Sequence, residues 1–442
     1  MKKPKAAAHN RRANPVARLF EQYNRDQKLF IGEAMLLNSA NVITGGAFLS
    51  GLLLLLGASD FLVGLVSSSA AWSLMLSLAS SALVERVADR KRLLFWSLLA
   101  FRMLTTLPVL LPLALGHGAP TALLASALIV LGNMIFSVFN TGFPVFMMDS
   151  LPMEGRANYI YMRMFWLRIA YSVTFLAMGV LLDALNKSYL GFAIVFLTAM
   201  AIGIADNCVL VRIQGAAPSP RGGGSLLQSL LHPLKNRRYV QYLAITFLFF
   251  FFLAMSSSFT GLYQLKYLKL SYLFITVITI ANFAIVIGTT HLWARLQQRI
   301  GMLRVLVLGM ALIALEFVVY GFLTPQTLGL IVLSPILAGA GGGGYWACTL
   351  PYRYSLMPDE GKTAYEGWFG TVFGAAGLLG AVVGGYLQRV LPVIDTSWMR
   401  FSVFQVAYLI SAALALGTVA IFWAVSRRSE ALTDSPNEQP PQ

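Results

Sequence analysis

Twelve stretches of this chain are each long and apolar enough to cross a lipid bilayer, and nothing else in the sequence constrains the fold as tightly. A bilayer-spanning helix needs about 20 mostly apolar residues. Runs of that size occupy roughly 31–57, 60–84, 93–116, 120–148, 159–184, 189–212, 239–263, 271–294, 304–323, 327–350, 364–388 and 400–426, numbered here as spans 1 to 12. Charged residues make up 12% of the chain, against about 25% in soluble proteins, and mean hydropathy is +0.70. The expected fold is an all-α integral membrane protein with twelve transmembrane helices in two six-helix bundles. The first bundle covers 30–212 and the second 239–426, with a linker at 213–238 and tails at 1–29 and 427–442. The linker opens with Pro218, Pro220 and Gly222 to Gly224, a composition that reads as flexible.

Two homologous halves are implied by a repeat. Pro152-Met153-Glu154-Gly155-Arg156-Ala157-Asn158-Tyr159 returns 206 positions later as Pro358-Asp359-Glu360-Gly361-Lys362-Thr363-Ala364-Tyr365. A second echo relates Leu83-Val84-Glu85-Arg86-Val87-Ala88 to Leu296-Gln297-Gln298-Arg299-Ile300-Gly301. Orientation follows from the excess of Lys and Arg on cytosolic loops. With the basic tail in the cytosol, 25 of the 33 Lys and Arg fall on that side and five on the other. Both termini are therefore expected in the cytosol of a cell (plasma or inner) membrane, and residues 1–29 are read as a retained tail rather than a signal peptide. The formal charge of +15 comes with no nucleic-acid motif and is spread over loops, which argues against a nucleic-acid partner. Cys208 and Cys348 lie in apolar runs and read as buried thiols.

These halves, the basic linker and the repeated loops resemble the major facilitator superfamily of secondary transporters, over nearly the whole chain. The family signature between spans 2 and 3, Gly-x-x-x-Asp-Arg-x-Gly-Arg-Arg, is met here by Ser81, Glu85, Arg86, Ala88, Asp89 and Arg90, and its second copy by Ala294, Gln298, Arg299 and Gly301. The resemblance implies a cytosolic gate of Glu85, Arg86, Arg90 and Arg299 that latches the bundles while the cavity faces outward. Span 4 carries no arginine and span 5 no Gly-Pro motif, which departs from the proton-coupled drug antiporters of that family.

The resemblance also implies that spans 1, 4, 7 and 10 line a central cavity, helped by 2, 5, 8 and 11. Substrate candidates are then Asn38, Asn41 and Thr44, spaced three apart on one face of span 1, and Asn133 and Asn140 on one stripe of span 4. Spans 7, 8 and 10 add Thr260, Asn282, Tyr345 and Trp346. Interhelical hydrogen bonding is the competing role for each. Charges inside spans cost about 2.5–3.5 kcal/mol on insertion scales and need a reason. Arg102 and Glu316, in spans expected to be peripheral, are read as structural or locally paired. Glu33, Asp149, Arg163, Asp206 and Glu366 lie near cytosolic ends, where snorkelling or gate salt bridges explain them. Arg168, deep in span 5, is the charge expected to meet a substrate or a coupling acid. The Gly341 to Gly344 run reads as close helix packing rather than a phosphate loop.

No enzymatic constellation, cofactor motif or metal-ligand spacing is present, so no enzyme, cofactor or metal is expected. The expected function is alternating-access transport of a small organic solute, with export of an amphipathic compound preferred over uptake of a sugar-like one. A membrane receptor or assembly factor on the same fold is the alternative from another class. Expected partners are a small-molecule substrate and the bilayer, with a proton or other ion left open as coupling partner, and the expected state is a monomer.

Overall fold

The computed structural model describes residues 23–87, 89–151, 156–214, 231–358, 362–395 and 400–433. Eleven of its helices are long and apolar enough to cross a membrane: Arg25–Leu55, Arg90–Leu115, Ala119–Met148, Met162–Ala184, Tyr189–Arg212, Arg237–Tyr267, Tyr272–Ile300, Met302–Gly321, Leu328–Ser355, Ala364–Val390 and Val403–Val425. Span 2 is the twelfth, a pair of helices (Asp60–Ser67 and Ser69–Val84) bent by 47°. A two-residue antiparallel pair, Ile394–Asp395 with Arg400–Phe401, is a small departure from the all-α expectation in the turn before span 12. The face that carries the segment between spans 6 and 7 is called here the linker side, and its opposite the far side.

The two halves begin alike. Asn24 caps span 1 in a reciprocal capping box with Gln27, at 2.8 and 2.9 Å, and Asn236 caps span 7 by accepting from Tyr239 N at 3.1 Å. Each cap satisfies amide groups that the first helical turn leaves without partners. Beside them stand the final tyrosines of the sequence repeat. Tyr159 meets Tyr23 edge-on at 5.5 Å, and Tyr365 meets Tyr239 edge-on at 4.6 Å. The repeat residues 152–155 and 359–361 lie outside the described residues, but each tyrosine packs near the start of the first span of its half, Tyr159 against the residue before the Asn24 cap and Tyr365 against the first turn of span 7.

Glycines set how closely the spans approach. A Cβ on Gly309 would meet the Tyr345 backbone nitrogen at 2.6 Å, and one on Gly341 would meet Gly309 O at 2.8 Å, so spans 9 and 10 pack backbone against backbone. Span 11 uses its glycines in two directions. Gly380 and Gly384 face backbone atoms of span 7 in the same bundle, whereas Gly370 and Gly374 face Ser77 and Met75 of span 2 in the other.

The bundles are tied together on the far side. Asp60, at the start of span 2, pairs with Lys266, at the end of span 7, at 2.7 Å. The Asp183 carboxylate accepts from Tyr272 N and Leu273 N at 3.1 and 2.7 Å, and thereby caps span 8 from the end of span 5. Tyr272 Oη donates to Ala47 O at 3.4 Å. Toward the linker side, spans 2 and 11 stay in contact through Leu78 N donating to Thr371 Oγ1 at 3.3 Å. On span 4, Asn140 is exposed, and so are Trp346 and Leu350 on span 10.

Candidate functional site

Spans 1 and 7 are both interrupted near mid-length. The first helix of span 1 ends at Ile43, and the next begins at Gly46 with φ +50°, a left-handed value that a side chain would resist. The Gly45-Gly46 pair is the sequence cause. In span 7 the helix ends at Ser257, a short turn covers Thr260–Leu262, and Tyr263–Tyr267 winds as a π-helix. Irregular backbone at membrane depth is tolerated where it lines a cavity or is buried in protein. Here it lines one.

A cavity of about 460 Å³ lies between the two breaks, bounded by Gly45, Gly46, Asn38 and Asn41 on one side and Ser257, Thr260 and Gln264 on the other. A second, of about 350 Å³, shares Ser68, Ser257, Ser258 and Thr260 with the first and reaches Glu316, Tyr320 and Tyr408 of spans 9 and 12. A third, of about 80 Å³, adjoins Asn41, Thr44 and Asn133.

The structure brings some of the sequence candidates together and leaves others apart. Asn38, Asn41 and Thr260 line the cavity of about 460 Å³. Asn133 is buried and gives its amide to Ser69 Oγ at 2.8 Å and Ile129 O at 3.1 Å. Asn140 is exposed on span 4, outside the three cavities above. The backbone of Asn282 packs against Gly339, Tyr345 is buried among Phe249, Phe250 and Trp346, and Trp346 is exposed. At the expected gate, Arg86 and Arg299 are exposed and Arg90 begins the helix of span 3, while the Glu85 side chain lies outside the described residues. The neighbouring Lys91 donates to Val211 O and Ile213 O, both at 2.6 Å, a cation placed where the carbonyls at the end of span 6 are exposed.

Two readings of the buried charges need correction. Glu33 and Asp206 do not snorkel: both are fully buried inside the first bundle. Glu33 pairs with Arg163 of span 5 at 2.8 Å, and Asp206 lies 4.0 Å from Arg102 of span 3. A short distance from a helix end along the sequence places a charge near water only if it faces outward, and these face inward. Glu316, expected to be peripheral, lines a cavity. The reason is the interruption of span 7, because residues behind Ser258 become part of the wall. The mid-span charge was the signal that could have found it.

Arg168 is half-buried with its guanidinium 4.9 Å from the Phe283 ring of span 8, and Tyr171 meets the same ring edge-on at 5.1 Å. Among the described residues it makes no ion pair. A contact of this kind contributes roughly 0.5–2 kcal/mol and here joins one bundle to the other. Arg168→Gln and Phe283→Leu are each expected to raise far-side labelling of a cavity cysteine severalfold, and the double variant no further. Additive effects would show that the two side chains act independently.

Paired six-span bundles around a cavity between interrupted helices define the class: a multi-pass membrane transporter of the major facilitator fold. The sequence matches the family described as MFS_1 like family over residues 74–399, and the chain belongs to it. Among solved structures it is similar to the POT family transporter PepTSo (TM-score 0.70, 14% identity, covering 93% of this chain and 99% of that one). It is also similar to the nucleoside transporter NupG (0.66, 14%, 90% and 97%) and to a D-xylose-proton symporter (0.65, 14%, 90% and 96%). At these identities the likeness shows the fold. No curated protein matches the sequence.

Proposed function

We propose that the protein moves a small amphipathic organic solute across the cell membrane by alternating access, the two bundles rocking about the joined cavities. The carrying observation is that irregular backbone from both halves, at Gly45-Gly46 and at Ser257 to Thr260, faces one cavity. Sites of this kind, at discontinuous helices near the midplane, are where secondary transporters hold their cargo. Both walls come from one chain, so a monomer suffices. The excess of basic residues on the linker side supports placing that side, with both termini, in the cytosol. The far-side ties then support reading the described conformation as one closed on the outer face. Export is the proposed direction, on the aromatic lining of the second cavity. Uptake of a polar solute is the second reading, which Asn38, Asn41 and Gln264 would serve.

The test needs no known substrate. With Cys208 and Cys348 replaced by Ser, a Ser257→Cys variant is labelled with a membrane-impermeant maleimide in vesicles of each orientation. Alternating access predicts labelling from both faces. Cross-linking Asp60→Cys to Lys266→Cys with a short bifunctional thiol reagent should abolish far-side labelling and leave linker-side labelling intact. Labelling from a single face throughout would end the transporter reading and favour a receptor.

A further inference from the structure

The second cavity has a chemistry of its own. Its one acidic lining residue is Glu316, from the middle of span 9, and among the described residues no Lys, Arg or His lines it. Ser334 Oγ donates to Glu316 Oε1 at 2.7 Å, and the described residues hold no ion pair to this carboxylate. A carboxylate with one neutral hydrogen bond, held at membrane depth, is costly in the absence of a cation. The cationic side chains nearest along the elements around it, such as Arg304, Lys266 and Arg389, stand at the ends of spans 9, 7 and 11.

What surrounds the acid is ring surface. Tyr320 and Tyr408 stack at 5.0 Å with an 18° interplanar angle, and Phe317 leans on Tyr408 at 5.6 Å. Phe250 and Phe373 complete the lining, themselves edge-to-face at 4.5 Å. The tyrosine hydroxyls are already engaged: Tyr408 Oη with Thr260 Oγ1 at 2.6 Å, and Tyr320 Oη accepting from Gln264 Nε2 at 3.0 Å. Aromatic faces attract cations through their quadrupole, and a lone carboxylate supplies the counter-charge. A neutral polar solute would leave that carboxylate uncompensated, and an anionic one would be repelled by it.

We infer that the Glu316 cavity takes the protonated amine end of an amphipathic organic cation, with Glu316 as counter-ion and the tyrosine and phenylalanine rings as its apolar walls. This rests on the transporter reading above and names the class of its cargo. Thr260 bonds to one of the walling tyrosines and lines both cavities, so a polar tail on the same solute would extend into the asparagine-lined cavity.

The experiment uses the purified full-length protein and a matched pair of probes, 4-phenylbutylamine and the neutral 4-phenylbutanol, with affinity read from tryptophan fluorescence. The amine is expected to bind on the order of tenfold to a hundredfold more tightly, the range for a hydrogen bond to a charged partner. Glu316→Gln keeps an oxygen to accept from Ser334 and loses the charge, so its preference for the amine should vanish with the melting temperature little changed. Should that variant fail to fold, Glu316→Asp, which withdraws the carboxylate by one methylene, is expected to reduce the preference severalfold. Equal binding of the two probes to the unmodified protein, binding of neither, or a preference that survives the loss of the charge would each overturn the assignment. The maleimide assay is independent of any ligand, so failure of the transporter reading would be seen there, separately.

Discussion

Replacing Asp206 with Ala is expected to destabilise the purified protein by about 3–5 kcal/mol, the range for removing one partner of a buried charge pair. Its partner Arg102 has no solvent exposure and faces Asp206 of span 6 from span 3, inside the first bundle rather than at a surface. Among the described residues the guanidinium would keep its hydrogen bonds to Asn41 Oδ1 at 2.8 Å and Leu37 O at 3.1 Å and its place over the Phe101 ring at 4.8 Å, all of them neutral partners. Room for this side chain is made by Gly203, where a Cβ would run into the Arg102 side chain; Gly203→Ala should therefore be destabilising as well, by crowding rather than by charge. The pair is loosely made: it spans 4.0 Å and neither Asp206 oxygen has a hydrogen-bond partner among the described residues. A combined Arg102→Met, Asp206→Leu variant removes both charges at similar volume and should be close to neutral in stability. Melting curves of the single and combined variants decide it. If Asp206→Ala melts like the unmodified protein, the buried charges are not compensating one another.

That cluster also shows where the sequence was readable and where it was not. The apolar runs located twelve spans because a bilayer allows few alternatives to a helix of that length. The loop repeat pointed to two halves, and its tyrosines Tyr159 and Tyr365 each meet another tyrosine edge-on near the start of the first span of their half. Asn38 and Asn41 line one cavity together because their three-residue spacing puts them on one helical face. What the sequence hid was direction about the helix axis. Glu33 and Asp206 lie close to helix ends, and only packing reveals that they turn into the bundle. The breaks in spans 1 and 7 were hidden for a related reason. Gly45-Gly46 and the serine run at 256–258 are tolerated within membrane helices, so neither stops an apolar run, and the consequence at Glu316 depends on where span 7 parts.

Gly64→Ala is expected to shift the protein toward the conformation open on the far side. A Cβ at this position of span 2 would overlap the ring of Phe259, which stands in the break of span 7 in the other bundle and is 1% exposed. The ring has little room to move aside, because Gly385 of span 11 also lies against it. Overpacking of this kind costs about 1–3 kcal/mol, and the cost falls only on the conformation in which the far-side ends of spans 2 and 7 are together. A penalty confined to one of two states changes their ratio by roughly 5–150-fold. Far-side labelling of Ser257→Cys should rise accordingly, while melting temperature changes little because each bundle's own packing is untouched. Gly384→Ala is the contrast: its Cβ would meet Met255 O within the second bundle, so it should lower stability in every conformation and leave the labelling ratio alone. Phe259→Ala removes the overlapping ring and should return the Gly64→Ala variant toward its original labelling. A Gly64→Ala variant that loses stability as Gly384→Ala does, without a change in labelling, would mean that spans 2 and 7 stay packed in both conformations and that the far side does not open along this seam.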